Sequence, residues 1–341
     1  MISKHVELLE AYTPGEQTRD TEVIKLNTNE NPYPPSPKVK ECLASFDSAL
    51  LRLYPDPAFM KVRERIAQIN GCSVKQVFVG NGSDEILALC TRAFVENNGS
   101  IGYFEPSYSL YPVLTNIRDV EKRPVRLNSD FTWNMPPDYR ADLFLMTNPN
   151  APTSMMFDEM VVAQFCSSFE GVVLLDEAYV DFADDNCMDL ATAADNSNTL
   201  VMRTLSKSFS LAGIRFGYLI GSEPLINALY KIKDSYNMDM LTLEIGLAAL
   251  SDLEYMQSNV ARIRDSRRKM REALISKGWT VCNSQSNFIF ARPPNGDAKR
   301  VFEELKKHKI FVRYFPGEYT GEYLRITIGS EEQCAALLDA L

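Results

Sequence analysis

Four short segments of this 341-residue sequence hold side chains that could act on a small molecule. Lys207, in Arg203-Thr204-Leu205-Ser206-Lys207-Ser208-Phe209, carries a primary amine able to condense with a carbonyl, and Gly213-Ile214-Arg215 follows it. Asp176 closes the apolar run Val172-Val173-Leu174-Leu175 and precedes Glu177-Ala178-Tyr179. A carboxylate in that position is costly to bury unless it meets a cation. Gly80-Asn81-Gly82-Ser83-Asp84-Glu85 is a glycine-rich turn opening a helical pattern, so free N–H groups and a positive dipole end are available to a phosphate. Thr147-Asn148-Pro149-Asn150-Ala151-Pro152-Thr153 is a loop of hydrogen-bonding side chains stiffened by two prolines. Taken singly, each segment has a plainer reading: a solvated lysine, a helix N-cap, a turn. The glycine turn matches neither a P-loop nor a dinucleotide fingerprint.

What joins the four segments is the pattern that must position them. Each follows a short apolar run: Val77-Phe78-Val79, Leu143-Phe144-Leu145-Met146, Val172 to Leu175, and Leu200-Val201-Met202. Runs of this length and composition fit strands covered on both faces, and their alternation with helical patterns implies a mostly parallel α/β sheet flanked by helices. Ligands bind outside the carboxyl ends of such strands. A phosphate-binding turn, a polar loop, a carboxylate and a lysine gathered there suit pyridoxal 5′-phosphate (PLP), which needs a lysine for a Schiff base and an acid for its pyridinium nitrogen. Residues 1–36, dense in Pro and Asn, read as an irregular arm belonging with a small domain. Helical spacing over 38–50 and 58–69 opens a large domain expected to span 37–233. A small α+β domain is expected over 234–341, with helices at 241–250 and 256–276 and strands at 288–290 and 323–328. The last alternates with period two, the mark of a half-exposed antiparallel strand.

The succession NENPYPPSP, RLYPDP, VFVGNGSDE, EPSY, NPNAPT, LLDEAYVDF, RTLSKSFSLAGIRFGY and YLRITIG resembles the histidinol-phosphate aminotransferases, a branch of the PLP-dependent transferases of fold type I. The resemblance runs from about Tyr12 to Gly329. It implies that Lys207 carries the cofactor and serves as general base, that Asp176 pairs with the pyridinium nitrogen, and that Tyr179 bonds the phenolic oxygen O3′. It also implies that Tyr108 stacks on the ring. The phosphate falls to the N–H groups of Gly82 and Ser83, the hydroxyls of Thr204 and Ser206, and Arg215, with Asp84 also counted among the cofactor-binding residues and Tyr54 reaching the cofactor phosphate of a neighbouring subunit in a homodimer. Arg325 is implied to clamp the α-carboxylate of glutamate, Tyr12 and Arg313 to take the substrate phosphate, and Asn31 to line the site. Two positions depart from the pattern. The family usually has Asn immediately before Pro-Thr, donating to O3′, where this sequence has Ala151; Asn150, Asn148 or Tyr179 alone then remains, and Asn150 is the candidate taken. Ser154 replaces the following glycine, which puts the turn of that loop in question. The implied reaction is histidinol phosphate with 2-oxoglutarate giving imidazole-acetol phosphate and glutamate. An aromatic aminotransferase or phosphothreonine decarboxylase of the same fold, and outside enzymes a metabolite-binding α/β protein, are the alternatives.

Composition narrows the field. Lys and Arg number 36 against 45 Asp and Glu, a net charge of -9 with no basic cluster, which argues against nucleic acid or anionic membranes as partners. No apolar run approaches a membrane span and the first residues lack a signal-peptide core, so the cytoplasm is the expected location. Seven scattered cysteines without CxxC and two histidines give no zinc pattern, no metal is expected, and the histidines stand in no hydrolase context.

Overall fold

The structure, a computed structural model, describes every residue except Pro14, Arg19 and Thr21. The expectation of an irregular arm lies outside the described residues at those three positions. Seven strands form the central sheet: β1 (Val77–Gly80), β2 (Ser100–Glu105), β3 (Glu121–Arg126), β4 (Leu143–Thr147), β5 (Val172–Asp176), β6 (Thr199–Thr204) and β7 (Gly217–Gly221). Their spatial order is β1-β7-β6-β5-β4-β2-β3. β7 runs antiparallel to β1 and β6, and the remaining pairs are parallel. β4 and β5 are apolar up to their last residues, Thr147 and Asp176, because both faces are covered. Phe144 and Met146 enter one core, while Leu143 and Leu145 enter the core on the opposite face.

A second core gathers Leu26, Ile263, Met270, Leu274, Ile289, Leu324, Ile326 and Ile328. It packs the long helix Leu253–Ser276 against a four-stranded antiparallel sheet ordered Arg313–Tyr314, Leu324–Thr327, Phe288–Arg292, Thr280–Val281. The arm joins this lobe: Ile24–Lys25 pairs in parallel with Ile310–Phe311, and Leu26 is buried in the second core. Helix Met240–Leu250 buries Leu243, Ile245, Ala249 and Leu250 in the same core as the central sheet. One expectation is corrected. Strand Leu324–Thr327 is antiparallel as expected but not half-exposed. Leu324 and Ile326 face the small-lobe core, while of the alternate positions Arg325 lines the cleft and Thr327 is buried against Asn29 of the arm. Among the described residues no helix is long and apolar enough to cross a membrane, and no group of three or more His, Cys, Asp or Glu side chains is placed to hold a metal ion.

Candidate active site

Where β4, β5 and β6 end, the chain leaves the sheet into a cavity of about 230 Å³ closed from above by the arm and the small lobe. Tyr12, Ser83, Asp84, Tyr108, Asp176, Tyr179, Thr204, Ser206, Lys207, Arg215, Arg313 and Arg325 all line it, so residues up to 313 positions apart in sequence meet in one place. A larger, open depression of about 1190 Å³ lies at the opposite, amino ends of the strands, beside Ser100, Asp142 and Val172, and carries none of them.

Asp176 is the last residue of β5 and 3% exposed. Its Oδ2 accepts from the Tyr111 hydroxyl at 3.1 Å and its Oδ1 from the Ala178 N–H at 3.1 Å; Tyr111 in turn lies 2.6 Å from the Thr147 hydroxyl. Burial nevertheless pushes the carboxyl up to about 7, with the Tyr111 and Ala178 bonds opposing. A carboxyl so placed gains most from a cation brought to it. Next in sequence, Glu177 is fully buried but already satisfied, its Oε2 accepting from Arg203 at 2.7 and 2.9 Å and its Oε1 from the Cys187 N–H. Of the two adjacent acids, Asp176 is therefore the one that needs a partner.

Lys207 follows β6 in a turn, and its Nζ stands 5.7 Å from the centroid of the Tyr179 ring. The turn is held from outside: Asn31 Nδ2 donates to the carbonyls of Lys207 and Ser208 at 3.1 Å each, and the Ser208 hydroxyl bonds Asp181. Asn31 thus grips the backbone beneath the lysine and does not line the cavity, which corrects its expected role.

The glycine turn behaves as a cradle. Gly82 opens helix Gly82–Ala93 with φ +80°, and a Cβ there would come within 2.7 Å of the Arg215 guanidinium. Beneath it, Gly217 pairs with both Gly80 and Thr204, and a Cβ on it would reach 2.8 Å from the backbone of Gly82 and Ser83. Only glycine at both positions lets three elements close on one another. Thr204 donates to the Phe216 carbonyl and sits 2.9 Å from the Ser206 hydroxyl. Arg215 bonds Asp84 Oδ2 at 3.1 Å, and Tyr108 donates to Asp84 Oδ1 at 3.2 Å. Asp84 therefore holds the arginine fork beside the helix N-terminus.

On the roof, Arg313 and Arg325 are register partners on adjacent antiparallel strands, so their side chains emerge side by side. Arg325 Nη2 donates to the Asn27 carbonyl at 2.8 Å, while its Nε is buried without a hydrogen-bond partner. Burial and the neighbouring Arg313 hold the Arg325 guanidinium below its usual value. Two adjacent cations, one with a free buried donor, ask for an anion. Arg313 itself donates to the Thr13 carbonyl at 3.1 Å.

The polar loop corrects another expectation. Asn150 is buried, but its amide donates to the Pro106 carbonyl and the Thr153 hydroxyl and accepts from Ser107, so its polar atoms hold the loop together. Asn148 is likewise committed, accepting from the Phe157 N–H at 2.8 Å. Of this loop Thr147, Ala151 and Pro152 line the cavity, and Ser154 takes the left-handed conformation (φ 64°) that a glycine would. Tyr54 lies outside this chain's own cavity, 79% exposed and stacked on Tyr236 at 4.4 Å. Tyr111, Thr147 and Asn29 belong to the site but were not anticipated. Tyr111 sits at helical distance from Tyr108 with the same residue type, and Asn29 is part of the Asn-rich arm motif; those were the available signals.

The donor set fits PLP. A buried carboxyl without a cation, a lysine across the cavity, and a cradle in which an added Cβ would strike the arginine fork match the ring nitrogen, aldehyde and phosphate of that molecule.

Fold and site together define an aminotransferase of fold type I. Residues 21–341 match the family described as aminotransferase class I and II. Relatives across the full length narrow this. The chain is 42% identical to the histidinol-phosphate aminotransferase of Chromohalobacter salexigens over 99% of its length and 97% of the relative's. It is 39% identical to histidinol-phosphate aminotransferase 1 of Nostoc sp. over 99% and 96%. The protein belongs to the histidinol-phosphate aminotransferase family. Among solved structures, the fold matches that of histidinol-phosphate aminotransferase from Sinorhizobium meliloti in complex with pyridoxal-5′-phosphate, with TM-score 0.89 and 21% identity over 100% of this chain and 96% of the other. It also matches aspartate aminotransferase from Thermotoga maritima at TM-score 0.82 and 20% identity, over 99% and 98%.

Proposed function

We propose that this chain, with PLP, transfers the amino group of histidinol phosphate to 2-oxoglutarate, giving imidazole-acetol phosphate and glutamate. The observation that carries the reading is the pairing, within one cavity, of a buried unpaired carboxyl at 176 with the Lys207 amine and the Gly82/Arg215 cradle. Bound there, PLP supplies an aldehyde that condenses with amines and a cationic ring that accepts the electron pair left when a Cα–H bond breaks.

The chain's own residues do the rest. Asp176 favours a protonated ring nitrogen, and the Tyr111 bond keeps its oxygens aimed. Lys207 holds the cofactor, then as a released amine moves a proton between the substrate Cα and the cofactor C4′, its reach fixed by the turn that Asn31 grips. Of the residues lining the cavity, Ser83, Thr204, Ser206 and Arg215 would hold the phosphate, Tyr108 would cover the ring and Tyr179 would donate to O3′. Arg325 takes the glutamate carboxylate, and Tyr12 with Arg313 the substrate phosphate.

The reading includes a homodimer. Leu50, Leu51, Leu53 and Tyr54 form an exposed apolar strip continuous with Tyr236, and burying it against a second copy would deliver Tyr54 to the partner's phosphate cradle. A cytoplasmic location accords with seven free thiols.

Absorbance tests the cofactor. The PLP-loaded wild type is expected to be yellow and Lys207→Ala to lose the covalent band and turnover. A colourless protein that takes up no added PLP would overturn the assignment. For substrate, histidinol phosphate, phenylalanine and glutamate are each mixed with the loaded enzyme and decay of the visible band is followed. Greater catalytic efficiency with phenylalanine would overturn the histidinol phosphate reading.

A further inference from the structure

Asn29, in the arm, is 1% exposed and adopts φ 56°. Its N–H donates to Thr327 Oγ1 at 3.0 Å, the Thr327 hydroxyl donates to its Oδ1 at 3.1 Å, and its carbonyl accepts from Asn287 at 3.0 Å. These bonds tie it to two strands' worth of the small lobe. The Thr327 oxygen, having accepted the backbone N–H, offers its own proton to Oδ1, which turns the amide NH₂ the other way. There it donates to the Tyr179 hydroxyl at 3.0 Å. A tyrosine oxygen that accepts from behind keeps its own proton for the cavity in front. The loop opposite presents Ala151 and Pro152, which have no side-chain donor, and Thr147, whose hydroxyl is bonded to Tyr111, while Asn148 and Asn150 are committed elsewhere.

We propose that Asn29 is a positioning residue that fixes Tyr179 as a donor to the phenolic oxygen of PLP, so that the arm governs the charge on that oxygen. The inference rests on the PLP reading above. A donor aimed at the oxygen favours the anionic form of the cofactor; turning the donor away raises the pH at which that form appears. Since Asn29 is held by Thr327 and Asn287, the donor is in place only when the small lobe and arm are docked.

The test compares wild type, Asn29→Asp, Asn29→Ala, Tyr179→Phe and the two double variants, each loaded with PLP. The midpoint of the visible absorbance change with pH and the affinity of the apo-protein for PLP are measured. Asn29→Asp keeps the size, the acceptor for Thr327 and the tolerance for positive φ, but puts an acceptor where the Tyr179 proton will turn to it. Asn29→Ala removes the donor without adding charge. Both are expected to move the midpoint to higher pH, by about 0.5–1 unit, in the sense of Tyr179→Phe. Asn29→Ala is expected to add nothing in the Tyr179→Phe background, the non-additivity of residues acting as a unit. An Asn29→Ala shift that survives undiminished in Tyr179→Phe, or an unmoved Asn29→Asp beside a shifted Tyr179→Phe, overturns the proposal. Should the Asn29 variants fail to fold, Thr327→Val, which frees Asn29 without removing it, must give the same shift, and its absence counts against the proposal. A wild type that binds no PLP defeats the cofactor reading itself, a result separable from these.

Discussion

Asp176 is held by a phenol and a backbone amide, yet burial dominates and pushes its carboxyl up to about 7, the charge of Lys207 offsetting this only in small part. The sign of the consequence follows directly. Between the ordinary carboxyl value, 3.8, and about 7, the folded apo-protein holds a proton that the unfolded chain has released, so apo-protein stability falls as pH rises through that window. The slope is about 1.4 kcal/mol per pH unit at most. Asp176→Asn, which keeps the shape and an acceptor for Tyr111, is expected to escape this loss. Its apo-form should melt with wild type near pH 4 and above it at pH 7 and beyond, as followed by thermal unfolding across pH. Parallel melting curves would show that the carboxyl is not under strain from burial. At this scale, Lys207 and Asp176 stand out in the sequence because a charged or reactive group just after an apolar run is chemically conspicuous, whereas Tyr179 and Arg215 were picked out only by the resemblance of the segments that hold them. Tyr111 was not, because an aromatic inside an apolar helix face looks the same whether or not its hydroxyl holds a carboxylate. Asn150 misled for a related reason: residue type announces that a bond will be made, not with whom.

Elements explain how the site is built. β4 and β5 could be read from sequence since both faces are covered and every position before the last is apolar. β3, EKRPVR, could not: it is the edge of the sheet, paired only to β2, and its charges and Pro124 guard that edge at the expense of any strand pattern. β7 escaped notice because it begins and ends in glycine and runs against its neighbours. Its first residue is nevertheless the floor of the phosphate cradle. Gly217→Ala would push Gly82 and Ser83 away from Thr204, and the expected outcome is PLP affinity weakened at least tenfold, about 1.4 kcal/mol, with unchanged far-UV circular dichroism. Titration of apo-protein with PLP measures it, and wild-type affinity would mean that these backbone N–H groups do not bear the phosphate.

The molecule as a whole has a core on each face of the central sheet, a third in the small lobe, and an exposed apolar strip around Tyr54. The change of pattern along the chain is what suggests the lobes, while helix Met240–Leu250 carries no sign in its sequence of which core it will enter. Leu51, 53% exposed, lies within the strip beside Tyr54. Leu51→Asp is expected to halve the sedimenting mass and to weaken retention of PLP, since Tyr54 then has no neighbour to serve; an unaltered sedimentation profile would refute a dimer through this face. The bond between Asn29 and Thr327 spans 298 positions. During translation, then, the large sheet can complete while the arm still waits, for the strand that receives it is made after every strand of that sheet. Until that strand emerges, Asn29 has no anchor in the small lobe, and the donor it holds behind Tyr179 is not yet fixed.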